Sequence, residues 1–154
     1  MNASWRIERA VADDAPAILD IQYQAYRQEA RLYGGVTLPP LLETVDELRV
    51  AMETHVILKG LVDGVIVGSV RGREVDDTCY IGRLVVAPEH QGRGFGSALL
   101  AAIEETFVPV RRFELFTGHK SERNLGLYAR RGYVEFRRQR EDDAVTLVFM
   151  EKLG

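Results

Sequence analysis

Two hydrophobic periods alternate along the chain. Trp5-Arg6-Ile7-Glu8-Arg9-Ala10-Val11 alternates apolar and charged residues, the pattern of a strand with one buried face. Asp13-Asp14-Ala15-Pro16 then offers capping acids and a proline suited to a first helical turn. Ile18, Ile21 and Ala25, flanked by Leu19, Gln22 and Tyr26, carry an apolar stripe that predicts a helix to about Ala30. Paired glycines and prolines make Leu32–Pro40 a loop, and Thr44-Val45-Asp46-Glu47 predicts a capping box opening a short helix to about Met52.

From Thr54 the period shortens to two. His55–Leu61, the turn pair Asp63-Gly64 and Val65–Val70 predict a hairpin, and a second turn at Val75-Asp76-Asp77 leads into a strand around Tyr80 and Ile81-Gly82-Arg83-Leu84-Val85-Val86, stopped by Ala87-Pro88. Leu99, Leu100, Ile103 and Phe107 predict a helix from Ser97 to Phe107, followed by a short strand over Arg112–Thr117. Ser121 is placed to cap a helix that ends at Gly132, a left-handed C′ residue with Tyr133 as its apolar follower. Val134–Arg138 and Ala144–Met150 predict a last hairpin around the acidic turn Glu141-Asp142-Asp143.

The chemistry concentrates between the Ile81–Val86 strand and the Ser97 helix, in Gln91-Gly92-Arg93-Gly94-Phe95-Gly96. A helix N-terminus presents unpaired amides and a positive dipole end, and glycines let an anion approach the backbone, so the expected ligand is a phosphate or pyrophosphate. No Gly-x-x-x-x-Gly-Lys-Ser/Thr run exists here. For a dinucleotide fingerprint the third glycine comes one residue too early, and the preceding antiparallel meander is the wrong strand order.

The remaining pattern, Gln/Arg-x-x-Gly-x-Gly/Ala after a strand ending in Val86-Ala87-Pro88, resembles the GCN5-related N-acetyltransferase (GNAT) superfamily. Asn124, Tyr128 four residues later and the closing Gly132-Tyr133 extend the resemblance, which covers Trp5 to Lys152; Gly126 departs from the larger residue usual there. The resemblance implies an α/β (α+β) fold, a central mixed, mostly antiparallel sheet of about six to seven strands with helices on both faces, in one domain spanning 1–154.

The activity it implies is acetyl-CoA-dependent acetylation of a primary amine, on a small molecule or on a peptide or protein. Backbone amides of Gln91, Gly92, Arg93, Gly94, Phe95 and Gly96, with the Ser97 hydroxyl, would take the pyrophosphate, and Leu84 and Val86 would pair with the pantetheine arm. An amide near Val85 or Val86 would face the thioester carbonyl. Tyr128 would be the general acid, with Asn124 positioning the cofactor from the same helix face; Glu29 or a water would take the amine proton. Tyr26 and Tyr33, beside the Gly34–Pro40 loop, are the acceptor-site candidates. The same fold would also serve a non-catalytic acyl-CoA-binding regulatory module, but a sensor has no need of a general acid.

Composition narrows the rest. At 154 residues, 46% hydrophobic and 28% charged, the chain is of globular type and one-domain size. A net charge of −3 with arginines scattered among acids gives no field for nucleic acid. Cys79, the single cysteine, excludes an intramolecular disulfide, and His55, His90 and His119 lack ligand spacing, so no metal is expected. With neither a signal peptide nor a run of about 18 apolar residues, the expectation is a cytoplasmic protein without membrane contact. The resemblance also allows a homodimer.

Overall fold

The computed structural model describes residues 5–154. The opening alternation forms β1 (Trp5–Arg9), shorter than expected: Ala10 N–H still reaches the Ile57 carbonyl at 2.8 Å, but Val11 N–H turns to Asp14 Oδ2 at 2.8 Å. That carboxylate, also 2.7 Å from Lys59 Nζ, is thereby spent outside the helix it was expected to cap. Helix α1 (Ala15–Ala30) follows, then α2 (Val45–Ala51), opened by the expected capping box, with Glu47 N–H donating to Thr44 Oγ1 at 3.1 Å and Thr44 N–H to Glu47 Oε1 at 2.9 Å.

Strands β2 (Val56–Val62), β3 (Val65–Val75) and β4 (Thr78–Val86) form the meander. Its tight turns place Asp63-Gly64 at φ 51° and 79° and Asp76-Asp77 at φ 49° and 65°. Positive φ at both central residues matches the twist of the flanking strands. The chain closes with α3 (Phe95–Phe107), β5 (Arg112–Gly118), α4 (Glu122–Arg130), β6 (Val134–Arg140) and β7 (Thr146–Leu153).

The seven strands form one sheet in the order β1-β2-β3-β4-β5-β7-β6. Every neighbouring pair is antiparallel except β4 and β5, which run parallel. Helices cover both faces: Ile57 packs with Ile18 and Leu48, whereas Leu58, its neighbour on the opposite face, packs with Leu99 and Ile103 of α3. Strand β6 is exposed along its whole length at the sheet edge, where its arginines guard the unpaired backbone. No helix among the described residues is long and apolar enough to cross a membrane.

One irregularity positions the site. On β4, Gly82 pairs with Arg71 and Val85 with Ser69, so Arg83 and Leu84 together face the single residue Val70. Arg83 adopts φ 50° to absorb the extra residue. The bulge reverses the side-chain alternation. Ile81 therefore packs in the core under α3, while Val85 packs with Ile21 and Ala25 of α1.

Candidate active site

Strands β4 and β5 are paired only where Thr78–Tyr80 meet Arg112–Glu114. Beyond that they separate, β4 running on to Val86 and β5 to Gly118, and a cleft of about 1100 Å³ opens between them. Ala87 N–H bonds to the Val67 carbonyl at 2.8 Å, which makes Val85 with Ser69 the next hydrogen-bonded pair and turns the Val86 backbone groups away from β3. The Val86 carbonyl accordingly accepts from Gln91 Nε2 at 3.0 Å. Its N–H lies on the same side of the strand and faces the cleft. Of the two expected amides, Val86 rather than Val85 has this orientation.

The glycine loop sits at the end of β4. Gly92 (φ 78°) and Gly94 (φ 87°) are left-handed, and a Cβ on either would meet nothing within 4 Å, so conformation rather than crowding calls for glycine. Helix α3 begins at Phe95, two residues before the expected Ser97, because Gly94 serves as its N-cap and the Phe95 ring is anchored by stacking on Trp5 with centroids 4.2 Å apart. The first helical bond runs from Ala98 N–H to the Gly94 carbonyl at 3.0 Å. Phe95, Gly96 and Ser97 thus keep amides with no helical acceptor. That arrangement fits a pyrophosphate. Gln91, Gly92, Gly94, Phe95, Gly96 and Ser97 line the cleft with Leu84, Val85 and Val86. Arg93 does not; it is exposed outside the lining, and Phe95, with its ring buried, has only its backbone to offer.

The opposite wall is α4. Its C-terminus closes as expected, with Gly132 at φ 95°, Tyr133 N–H to the Tyr128 carbonyl at 3.0 Å and Gly132 N–H to the Ala129 carbonyl at 3.1 Å. The N-terminus differs: Ser121 makes no side-chain cap and donates instead to Glu29 Oε1 at 3.2 Å. Tyr128 and Asn124 both line the cleft, and Asn124 Nδ2 donates to Thr117 Oγ1 at 3.3 Å. Burial, with the nearby Tyr26 and Glu29, pushes the Tyr128 phenol well above its ordinary 10.0, so the proton stays on.

Tyr26, Glu29 and Tyr33 also line the cleft. Glu29 is held rather than free, its Oε1 meeting both Ser121 and Arg123 Nη2, the latter at 3.3 Å. Tyr33 ties its loop to the end of β5 by accepting the Lys120 N–H at 3.1 Å, and a Cβ on Gly118 would come within 1.9 Å of its hydroxyl. Burial raises the Tyr26 phenol against the pull of Arg83. Cys79 is fully buried, which pushes its thiol up to about 12, the condition of a packed, unreactive sulfur.

Sequence reasoning passed over a buried polar cluster beside Tyr26. Arg71 donates from Nη1 to Glu43 Oε2 at 3.0 Å and from Nη2 to Oε1 at 2.8 Å, and Gln22 Nε2 reaches Glu43 Oε1 at 2.9 Å and the Pro40 carbonyl at 3.0 Å. Arg83 Nε stands 3.9 Å from Glu43 Oε1. The available signal was two arginines inside otherwise apolar strand runs, Val65–Val70 extended and Ile81–Val86.

The model of the acetyltransferase (GNAT) family matches residues 16–133. The chain belongs to this family. No curated protein sequence matches it. Among solved structures, the PaiA N-acetyltransferase from Thermoplasma acidophilum, in complex with coenzyme A, superposes with a TM-score of 0.81 at 15% identity, over 98% of this chain and 99% of that one. The ribosomal-protein-S18-alanine N-acetyltransferase from Escherichia coli gives 0.78 at 18%, over 97% and 93%. The spermidine N-acetyltransferase from Vibrio cholerae, in complex with CoA and spermine, gives 0.75 at 18%, over 99% and 96%. These likenesses establish the shared fold.

Proposed function

We propose that the protein is an N-acetyltransferase that uses acetyl-CoA to acetylate a primary amine directly, on a small molecule or on a peptide or protein. One observation carries this reading: the Val86 N–H faces the gap between β4 and β5, and Tyr128 lines the same gap from α4. The coenzyme A bound by the PaiA and V. cholerae structures supports the choice of donor.

Acetyl-CoA, when bound, supplies an acetyl group whose C–S bond is exchanged for the amide C–N bond, with one proton leaving the amine and one reaching the sulfur. The amides of Phe95, Gly96 and Ser97 hold phosphate oxygens at the start of α3, with the dipole of a 13-residue helix behind them. Val86 N–H stabilises the negative charge that develops on the carbonyl oxygen, a contribution of about 3 kcal/mol. Tyr128, kept protonated by burial, provides the proton for the sulfur; because thiols ionise near 8.5, that help is useful rather than obligatory. Glu29, held through Oε1 by Ser121 and Arg123, or a water accepts the amine proton. Asn124 orients the donor from the face it shares with Tyr128.

The test is an acetyl-CoA titration by calorimetry, with a Gly94→Glu variant beside the wild type, followed by an amine screen read by CoA release. The expected result is binding in the micromolar range, lost in the variant, and amine-dependent release. Binding without release for any amine would instead favour the non-catalytic acyl-CoA module.

A further inference from the structure

Arg71, Arg83 and Tyr26 line the cleft upstream of the glycine loop, with Arg83 three residues, about 10 Å of strand, before Val86. One carboxylate serves both guanidiniums. Glu43 gives both oxygens to Arg71 in a two-pronged pair and a further bond to Gln22, so its capacity is largely used. Arg83 is left with Nε buried and without a hydrogen-bond partner among the described residues, 3.9 Å from Glu43 Oε1, while 28% of its side chain remains exposed. An underpaired, partly desolvated guanidinium is costly, and its planar donor fork suits a carboxylate.

The other charges around the cleft do not cancel it. Glu29 is already paired with Arg123. Glu141 and Asp142 are exposed at the rim, where solvent screens them; Asp142 Oδ1 is further occupied by the Ala144 and Val145 amides, both at 2.8 Å. The deep part of the cleft therefore holds surplus positive charge, which repels a polyamine and attracts an anion.

We propose that the acceptor is an amine that itself carries a carboxylate, an amino acid or a close analogue. Its carboxylate is taken by Arg83, with the Tyr26 hydroxyl alongside, and its amino group is thereby directed toward Val86 and Tyr128. This rests on the acetyltransferase reading and names the substrate class for that same site.

The experiment compares free amino acids with their carboxamides, which differ in the one group Arg83 would hold, and includes spermidine. Turnover is read by CoA release, and binding by calorimetric titration of N-acetyl amino acids and their carboxamides into the CoA-saturated protein. The expected result is an acid-over-amide preference of about tenfold or more in both readouts, abolished in Arg83→Met and partly kept in Arg83→Lys. Because the preference is a ratio within each variant, a loss of folded protein does not alter it. Equal use of acids and amides, a preference for spermidine, or a ratio unchanged in Arg83→Met would overturn the assignment while leaving the acetyltransferase reading in place. Failure of the wild type to bind acetyl-CoA would remove the parent reading, and this proposal with it.

Discussion

Gln91, the first residue of the glycine loop, donates its side-chain amide to the carbonyl of Val86, the last residue of β4, at 3.0 Å. The same amide reaches Gln28 Oε1 of α1 at 2.9 Å, so one side chain joins strand, loop and helix at the head of the cleft. Removing it frees the Val86 carbonyl and loosens the loop. Gln91→Ala is expected to weaken acetyl-CoA binding about tenfold, the worth of one or two hydrogen bonds, with a cooperative unfolding transition retained. Calorimetry beside a denaturation curve checks both halves.

If Tyr128 is the acid of the proposed reaction, Tyr128→Phe should separate chemistry from binding. The variant is expected to lower kcat by about tenfold to a hundredfold and leave acetyl-CoA affinity largely unchanged. Burial raises the Tyr128 phenol above its ordinary 10.0, so its acid form persists up to that pH and beyond. The wild-type kcat should therefore show no alkaline decline from this group below pH 10. An unchanged kcat in Tyr128→Phe would discard its role as acid.

The periodicity of the chain made most of this fold legible, because each strand and helix buries one face and the turns carry Asp-Gly, Asp-Asp or Gly at left-handed positions. The place of the glycine loop between β4 and α3, and the helix face shared by Asn124 and Tyr128, were equally readable, since short motifs encode local backbone geometry. What escaped were contacts set by tertiary packing. The bulge at Arg83 has only Gly82 and the charge of Arg83 itself to mark it in the run, and neither says that two residues will face one. Glu43 lies 28 residues from Arg71, and Ser121 gave up its capping role to meet Glu29, 92 residues away. Ring stacking of Phe95 on Trp5, at the far end of the chain, likewise lengthened α3 beyond its visible apolar stripe.

Glu43 also links stability to pH. Burial works against its charge, but hydrogen bonds from Arg71 and Gln22 and the charges of Arg71 and Arg83 hold its carboxyl below the ordinary 4.5. A depressed carboxyl adds stability that is fully present above its unfolded value and disappears as pH falls through the folded one. Wild-type protein should thus lose stability on acidification below pH 4.5 more steeply than Glu43→Gln, which has no such group to protonate. At neutral pH, Glu43→Ala should cost about 3 kcal/mol by leaving Arg71 buried without its partner. Urea denaturation at several pH values measures both effects.

The last prediction concerns the joint that holds α4 in place. Glu104 of α3 is buried and receives Lys152 Nζ at 2.7 Å, Arg131 Nη2 at 3.1 Å and the Tyr133 hydroxyl at 2.8 Å. It thus joins α3 to β7 and to the residues that end the Tyr128 helix. Glu104→Ala strands two cations and a phenol, and is expected to cost about 3–5 kcal/mol, whereas Tyr133→Phe removes one donor for about 1 kcal/mol. Since all these groups share one carboxylate, the double variant should lose less than the sum of the two. Thermal denaturation of the four proteins gives that coupling. Additive losses would mean that Tyr133 and Glu104 act independently.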